Sequence, residues 1–223
     1  MPPDVSVVIP AYNEAERLPR TLSAIRAYLG DSSWELIVVD DGSRDDTIHF
    51  AHVQLPHNMG KARAVAAGVA ASHGQLVLIT DADLSTPIEE LAKLQAAVDG
   101  GADVAIGSRA KRGSVIEVSQ PFYRVLMGKS FNLLVQAIVL PGIWDTQCGF
   151  KLWRGDLARE VFAEMKLDGN VAFDVEVLYR ARRRGCRIVE VPVRWVDSVP
   201  SRISPLKHSL EGLIDLVKIR FLA

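Results

Sequence analysis

The stretch Gln75-Leu76-Val77-Leu78-Ile79-Thr80-Asp81-Ala82-Asp83-Leu84-Ser85 joins a short apolar run to two carboxylates that are separated by one residue. The run Leu76 to Ile79 is too short for a helix, and it predicts a strand that is buried on both faces, as in a parallel sheet. On extended backbone, the side chains of Asp81 and Asp83 point to the same side. In open α/β sheets ligands bind at the carboxyl ends of the strands, which is where both aspartates fall.

The two aspartates predict a metal site. Two carboxylates so close together repel each other unless a divalent cation lies between them and an anionic ligand. Oxygen ligands suit Mg²⁺ or Mn²⁺, and Mg²⁺ typically uses one or two carboxylates together with substrate phosphates. We therefore hypothesise that Asp81 and Asp83 bind Mg²⁺ or Mn²⁺ and, through it, a diphosphate. The alternative is a loop without function, because Asp-x-Asp is also common in turns.

Composition narrows the class of protein. The chain has 223 residues, which suits one α/β domain, and its net charge of −1 does not favour nucleic acid as a partner. The two cysteines, Cys148 and Cys186, indicate a reduced compartment rather than a disulfide framework. The N-terminal residues lack the features of a signal peptide. We expect a cytoplasmic protein.

Membrane attachment is a separate question. The longest uncharged stretch, 130–144, is shorter than the ~18–20 residues that a spanning helix needs, so no integral segment is expected. Two stretches, 122–140 and 205–221, carry apolar residues at helical spacing with basic residues alongside. Core packing is the default explanation for such stripes. The alternative is peripheral binding to a membrane surface, on its cytoplasmic face.

Strand and helix patterns alternate through the first half of the chain. Apolar strands are predicted at Val5 to Ile9, Trp34 to Val39, Leu76 to Ile79 and Asp103 to Ser108, with helices between them. This alternation predicts an α/β fold with a mostly parallel central sheet and helices on both faces. The second half is less regular, with helices predicted near 121–140, 155–164, 173–184 and 205–221 and a strand at 188–193.

A second acidic pair, Asp40 and Asp41, also ends a predicted strand. Two strands would therefore deliver carboxylates to one edge of the sheet, where they can accept hydrogen bonds from a base N–H or from ribose hydroxyls. The alternative is turn chemistry, because Asp-Asp-Gly-Ser is also a good turn sequence.

Several basic residues are candidates for phosphate binding. Lys61 lies at a predicted helix N-terminus, where the dipole disfavours a cation by ~0.3–1 kcal/mol, and a nearby anion would offset that cost. The alternative is a solvated lysine; a P-loop does not fit, because Leu55 and Ala62 stand at its required positions. Arginine side chains bind phosphate bidentately, and the candidates are Arg109, Arg124 and Arg202.

Six short motifs span nearly the whole chain. The first three are Val7-Val8-Ile9-Pro10-Ala11-Tyr12-Asn13-Glu14, Val39-Asp40-Asp41-Gly42-Ser43 and Thr80-Asp81-Ala82-Asp83. In this order and spacing they resemble family-2 glycosyltransferases of the GT-A (Rossmann-like) fold. The others look like dolichyl-phosphate β-glucosyltransferases and related polyprenyl-phosphate enzymes: Gly107-Ser108-Arg109, Asp145-Thr146-Gln147-Cys148-Gly149-Phe150-Lys151-Leu152 and Ala172-Phe173-Asp174-Val175-Glu176.

The resemblance implies a single GT-A domain over residues 1–223. About 1–110 would bind the nucleotide sugar, and about 111–223 would bind the acceptor through amphipathic helices. The residues implied to hold the nucleoside are Pro10, Ala11, Tyr12, Glu14 and Asp41, with Asp40 and Lys61 as further donor-binding candidates. Those implied to hold the diphosphate and its metal are Asp81, Ala82 and Asp83. Phosphate would be received by Arg109, Arg124 and Arg202, and the sugar pocket would be lined by Gln147 and Asp174.

The implied activity is metal-dependent, inverting transfer of a hexose from a nucleotide sugar, UDP-glucose, to a polyprenyl or dolichyl phosphate. The candidate catalytic residues are Asp83, Arg109, Arg124, Asp174 and Arg202. A GDP-mannose donor or a sugar hydroxyl acceptor remains as an alternative, and the hydroxyl would need a base such as Asp174. Two alternative functions of a different class are those of a nucleotidyltransferase and of a non-catalytic sugar-nucleotide-binding module.

Overall fold

The computed structural model describes residues 1–117, 122–167, 172–196 and 205–222. The strands are β1 Val5–Ala11, β2 Trp34–Asp40, β3 Val53–Gln54, β4 Leu76–Ile79, β5 Val104–Ser108, β6 Val115–Ile116, β7 Lys151–Arg154, β8 Ile188–Pro192 and β9 Arg194–Trp195. The helices are α1 Leu18–Leu29, α2 Lys61–Ala70, α3 Leu91–Asp99, α4 Phe122–Ile138, α5 Gly155–Ala163, α6 Phe173–Arg183 and α7 Pro205–Leu222. Short 3₁₀ turns lie at Asp46–Phe50 and Ile88–Glu90.

Within the described residues, seven strands form one sheet in the order β3-β2-β1-β4-β7-β5-β8. The β1–β2, β1–β4, β2–β3 and β5–β8 pairs are parallel, as predicted. The strand β7 is antiparallel to both of its neighbours, β4 and β5. The strands β6 and β9 form a separate two-stranded ribbon. The mostly parallel sheet is therefore confirmed, with one reversed strand inside it.

Helices cover both faces of the sheet, as the alternation predicted. Because successive strand residues point to opposite faces, Val8 joins one apolar core while Val7 and Ile9 join the other. The first core packs β-strand residues against α2, α4, α5, α6 and α7, and the second packs them against α1 and α3. At Gly68 of α2 a Cβ atom would lie 2.4 Å from Val8 Cγ1, so the absence of a side chain lets α2 approach β1 closely.

The sequence did not predict β7, because Lys151–Arg154 is only four residues long and begins and ends with a charged residue. Lys151 is buried there with an acidic partner, and Trp153 is fully buried. Tertiary pairing therefore overrides the local pattern. The sheet takes strands from both sides of residue 110, and the division into donor-binding and acceptor-binding parts stays a prediction.

A buried ion pair holds the chain that follows α5. The Glu176 carboxylate accepts hydrogen bonds from Lys166 N (2.9 Å) and Leu167 N (2.8 Å), and from Arg180 Nε (2.8 Å). Its side chain is 2% exposed.

Replacing Glu176 with alanine should lower the free energy of unfolding by ~3–5 kcal/mol, because the buried Arg180 would lose its buried partner and keep only the half-exposed Glu164, 3.6 Å away. Urea denaturation followed by circular dichroism measures this. The exposed Glu160 on α5 provides the control, since Glu160→Ala should change the free energy of unfolding by about 0.5 kcal/mol or less. Equal effects of the two variants would contradict the assigned role of Glu176.

Candidate active site

A cavity of about 380 Å³ lies at the carboxyl ends of β1, β2 and β4. These three strands are parallel neighbours, so the loops that follow them meet at the same edge of the sheet. The cavity is lined by Pro10, Ala11, Tyr12, Glu14, Asp41, Asn58, Gly60, Lys61, Ala64, Asp81, Ala82 and Asp83. The structure thus brings together all three motifs that end the first, second and fourth strands.

The loop after β1 is tied to the loop after β2 by reciprocal hydrogen bonds. Asn13 N donates to Ser43 Oγ (2.9 Å), and Arg44 N donates to Asn13 Oδ1 (2.8 Å). Asn13 has a φ of +55°, a left-handed conformation that asparagine adopts more readily than most residues. The turn leaves Tyr12 half-exposed beside the cavity, with Glu14 next to it.

The two aspartates after β2 have different surroundings. The Asp41 carboxylate lines the cavity and accepts hydrogen bonds from Met59 N (2.7 Å) and Gly60 N (2.9 Å). Burial raises the pKa of Asp41, while these two backbone N–H groups act in the opposite direction. Asp40 does not line the cavity; its Oδ1 accepts from Ser43 N (3.1 Å), as in the turn alternative. Asp41 therefore connects β2 to the start of α2.

Lys61 is paired with the first aspartate of the Asp-x-Asp motif. Lys61 Nζ lies 2.5 Å from Asp81 Oδ1, and each side chain is a little over one third exposed. Burial works to lower the pKa of Lys61, but the nearby charges of Asp81, Asp174 and Asp83 raise it overall. Burial acts to raise the pKa of Asp81, but the positive charges of Lys61, Lys151 and Arg109 outweigh burial. The pKa of Asp81 is therefore lowered. The anion expected near this helix N-terminus is therefore Asp81.

The Asp-x-Asp motif forms a tight turn after β4, so the extended backbone expected for Asp81 and Asp83 is wrong, although both side chains still line the cavity. Leu84 N donates to Asp81 O (3.2 Å), Ser85 N donates to Asp83 Oδ1 (2.9 Å), and Leu84 has a φ of +48°. A leucine rarely adopts this conformation, and such strain is retained where the surroundings impose it. Thr21 Oγ1 of α1 donates to Ala82 O (2.6 Å) and helps to hold the turn.

The residues present fit a divalent cation bound together with phosphates. Asp81 and Asp83 both line the cavity, and the ammonium of Lys61 at Asp81 Oδ1 shows that this carboxylate accepts a cation. Across the described ranges no three histidine, cysteine, aspartate or glutamate side chains converge as a metal site. Asp81 and Asp83 would supply two carboxylates, a number that Mg²⁺ commonly combines with substrate phosphates.

Arg109 is held by a bidentate ion pair near the end of β5. Its Nε and Nη2 lie 2.8 Å from Asp145 Oδ2 and Oδ1, and its guanidinium lies 5.4 Å from the ring centroid of Trp195. Burial acts to raise the pKa of Asp145. The hydrogen bonds and the charge of Arg109 outweigh burial, so the pKa of Asp145 is lowered. Glu190 Oε1 in turn accepts from Asp145 N (2.9 Å).

Of the described residues, Asp174 and Gln147 lie outside the lining of the cavity. Asp174, in the first turn of α6, pairs with the buried Lys151, and Gln147 Nε2 is buried without a hydrogen-bond partner. Arg124 belongs to α4, but its side chain falls outside the described part of the structure, and Arg202 lies outside the described residues. The roles assigned to these residues stay predictions.

The sequence analysis missed five residues that shape the site: Asn58, Gly60, Ala64, Lys151 and Asp145. The first three line the cavity from α2 and the loop before it, and no charge pattern marks them. A signal did exist for Lys151, because a lysine between apolar residues in Phe150-Lys151-Leu152 is unusual unless it is paired.

Residues 6–162 match the family model described as glycosyl transferase family 2. The chain belongs to glycosyltransferase family 2. This confirms the resemblance drawn from the motifs, and the chain is a transferase.

Curated relatives cover nearly the whole transferase chain. A dolichyl-phosphate beta-glucosyltransferase from Trichomonas vaginalis is 34% identical over 238 residues, which are 96% of this chain and 72% of the relative. The Homo sapiens dolichyl-phosphate beta-glucosyltransferase is 33% identical over 242 residues, covering 97% of this chain and 74% of the relative.

Solved structures support the fold. Glucosyl-3-phosphoglycerate synthase from Mycobacterium tuberculosis, in a complex with Mn²⁺, UDP and glucosyl-3-phosphoglycerate, matches with a TM-score of 0.70 at 22% identity. The match covers 98% of this chain and 80% of that one. A mannosyltransferase from Pyrobaculum calidifontis, solved with GDP-mannose and Mn²⁺, gives a TM-score of 0.61 at 24% identity over 91% and 59% of the two chains. The predicted GT-A fold of the transferase is confirmed.

Proposed function

We propose that this transferase moves glucose from UDP-glucose to the phosphate of a dolichyl or other polyprenyl lipid, with inversion from an α-linked donor to a β-linked product. The observation that carries the proposal is that Asp41, Asp81 and Asp83 line the same cavity. This cavity offers hydrogen-bond acceptors for a nucleoside beside carboxylates for a metal-bound diphosphate. The curated relatives, which are named for transfer to dolichyl phosphate, support the lipid acceptor.

Asp81 and Asp83 would hold the divalent metal, Mg²⁺ or Mn²⁺. When bound, the metal supplies Lewis-acid stabilisation of the diphosphate leaving group. The Mn²⁺ in the solved neighbours supports a divalent metal. Lys61 lies beside Asp81 and adds positive charge on the same side of the cavity. Tyr12 and Asp41 would bind the nucleoside from the ends of β1 and β2.

The acceptor oxygen needs no base in this reaction, because a lipid phosphate is already anionic. That oxygen forms a bond to the anomeric carbon while the bond from this carbon to UDP breaks, and UDP leaves with the electron pair. The protein must bring two anions together, which requires positive charge near the reaction centre. Arg109 lies within electrostatic reach of Asp81, and Arg124 and Arg202 are further candidates for the acceptor phosphate.

A donor panel tests the proposed function. With Mg²⁺ or Mn²⁺ and a short polyprenyl phosphate, UDP-glucose should release UDP and give a lipid-linked glucose, while GDP-mannose should react poorly. Removal of the metal with EDTA should stop the release of UDP, and adding back either metal should restore it. Faster reaction with GDP-mannose would change the assigned donor. Pyrophosphate formed from UTP, or donor binding without UDP release, would overturn the transferase chemistry proposed here.

We further propose that the transferase binds peripherally to the cytoplasmic face of a membrane. None of the described helices is long and apolar enough to cross a bilayer. The helices α4 and α7 pack together, and both present large apolar side chains to solvent. We call these side chains the α4–α7 apolar face. They are Leu126, Leu133, Leu134, Leu213, Ile214, Val217 and Phe221. Basic residues on the same helices, such as Lys129 and Lys218, suit anionic lipid headgroups.

Replacing Leu133 and Phe221 together with glutamine should weaken binding to vesicles that contain anionic lipid by at least about 10-fold. The two side chains are 66% and 79% exposed, and burying each in lipid contributes roughly 1.5–3 kcal/mol. Co-sedimentation with vesicles measures the effect. The exposed Ile48, which lies outside the α4–α7 apolar face, provides the control variant Ile48→Gln. Unchanged sedimentation of the double variant would contradict the peripheral site.

A further inference from the structure

Lys151 is a buried lysine with two hydrogen-bond partners. Its Nζ lies 2.5 Å from Asp174 Oδ1 and 2.6 Å from Cys148 O, and its side chain is 2% exposed. The Asp174 side chain is only 11% exposed. Burying both charges costs free energy that their attraction must offset. A stabilising effect on the fold is therefore not a sufficient explanation for this pair.

The pair lies beside the candidate metal ligands. Lys151 is opposite Ile79 in the β4–β7 register, two residues before Asp81. Its partner Cys148 precedes Gly149, where a Cβ atom would lie 2.0 Å from Asp81 Oδ2. The charge on Lys151 also contributes to the lowered pKa of Asp81, against the larger opposing effect of burial. The lysine therefore lies next to the candidate metal ligand Asp81 rather than in a remote part of the core.

The class of acceptor determines whether the reaction needs a base, and Asp174 of this pair is a carboxylate that could serve as one. A hydroxyl acceptor or a water molecule must lose a proton as it attacks, and a carboxylate is the usual group to take it. In this protein Asp174 Oδ1 already accepts a hydrogen bond from the buried Lys151 Nζ, so this oxygen is not available to a hydroxyl or a water molecule. A phosphate acceptor requires no such base.

We propose that Lys151 determines the class of acceptor: by holding Asp174 in a buried ion pair, it withholds the proton acceptor that transfer to hydroxyls or water would require. This inference rests on the proposed function and deepens it. Without Lys151, a water oxygen would bond to the anomeric carbon, the bond to UDP would break, and the water proton would pass to Asp174. Lys151 is a positioning residue, since it acts through Asp174.

The test compares two rates in the full chain with UDP-glucose and Mn²⁺: UDP release without acceptor, and sugar transfer to a short polyprenyl phosphate. Lys151→Met should raise the ratio of the first rate to the second by about 10-fold or more, because a freed base is worth 10²–10⁴-fold. Lys151→Arg keeps the charge and should keep the wild-type ratio. Adding Asp174→Asn to Lys151→Met should remove the gained hydrolysis. Lys93→Met, at an exposed lysine paired with Glu90, is the matched control.

A proportional fall of both rates in Lys151→Met would overturn the proposal, as would gained hydrolysis that survives Asp174→Asn. The wild-type protein provides a test that no folding defect can affect. Its UDP release without acceptor should be at least about 100-fold slower than transfer, and comparable rates would overturn the proposal. Efficient wild-type transfer to a sugar hydroxyl with none to lipid phosphate would instead overturn the proposed function.

Discussion

Replacing Asp83 with asparagine should lower the turnover of UDP-glucose by at least ~1,000-fold, since Lewis-acid stabilisation by a metal is worth several kcal/mol and each 1.36 kcal/mol is tenfold in rate. Asp83 is the better of the two aspartates to change, because Asp81 also pairs with Lys61 and its loss would leave that ammonium unpaired. Asparagine keeps an oxygen that can accept from Ser85 N, so the turn should survive.

The readouts for Asp83→Asn are UDP release and Mn²⁺ binding followed by electron paramagnetic resonance. Mn²⁺ affinity should fall together with turnover, while the free energy of unfolding should stay close to that of the wild type. Asp99→Asn, at the exposed end of α3, is the control and should leave both readouts unchanged. Wild-type turnover in Asp83→Asn would remove the metal ligand set from the proposal.

Replacing Gly149 with alanine should lower turnover by at least about 100-fold, because a displacement of the order of 1 Å at a reacting group costs that much. The new Cβ would lie 2.0 Å from Asp81 Oδ2 and 2.5 Å from Asp81 Cγ, so the carboxylate must move away. Its movement changes the contact with Lys61 and the position of the candidate metal ligand. Alanine introduces no backbone strain at this position, since Gly149 does not have a left-handed φ.

The fold should tolerate Gly149→Ala, because the atoms that must move belong to the end of one side chain. We expect the free energy of unfolding to change by about 1 kcal/mol or less, within the range of ordinary substitutions. Urea denaturation and UDP release, measured on the same sample, separate the two effects. Gly128→Ala, where a Cβ atom would meet nothing within 4 Å, is the control. Loss of turnover in proportion to loss of folded protein would contradict the displacement of Asp81.

The parallel part of the sheet could be predicted from local pattern. Apolar runs such as Val5–Ala11 and Leu76–Ile79 are strands because they are short, buried on both faces and followed by turn residues. Their parallel arrangement then follows from the helices between them, and it brings Asp41 and Asp81 to one edge. The reversed strand β7 escaped prediction, because Lys151 and Arg154 hide its strand character and only pairing with β4 and β5 places it there.

The sequence by itself determined which carboxylates end the strands, and hence that Asp81 and Asp83 face a common cavity with Asp41. This follows from the position of each carboxylate just after an apolar strand, and from the helices between the strands, which favour parallel strands whose carboxyl ends share one edge. Only the tertiary structure decided which charge meets which: Lys61 with Asp81, Arg109 with Asp145, and Lys151 with Asp174. These partners are 20, 36 and 23 residues apart in the chain, so packing rather than local pattern brings them together.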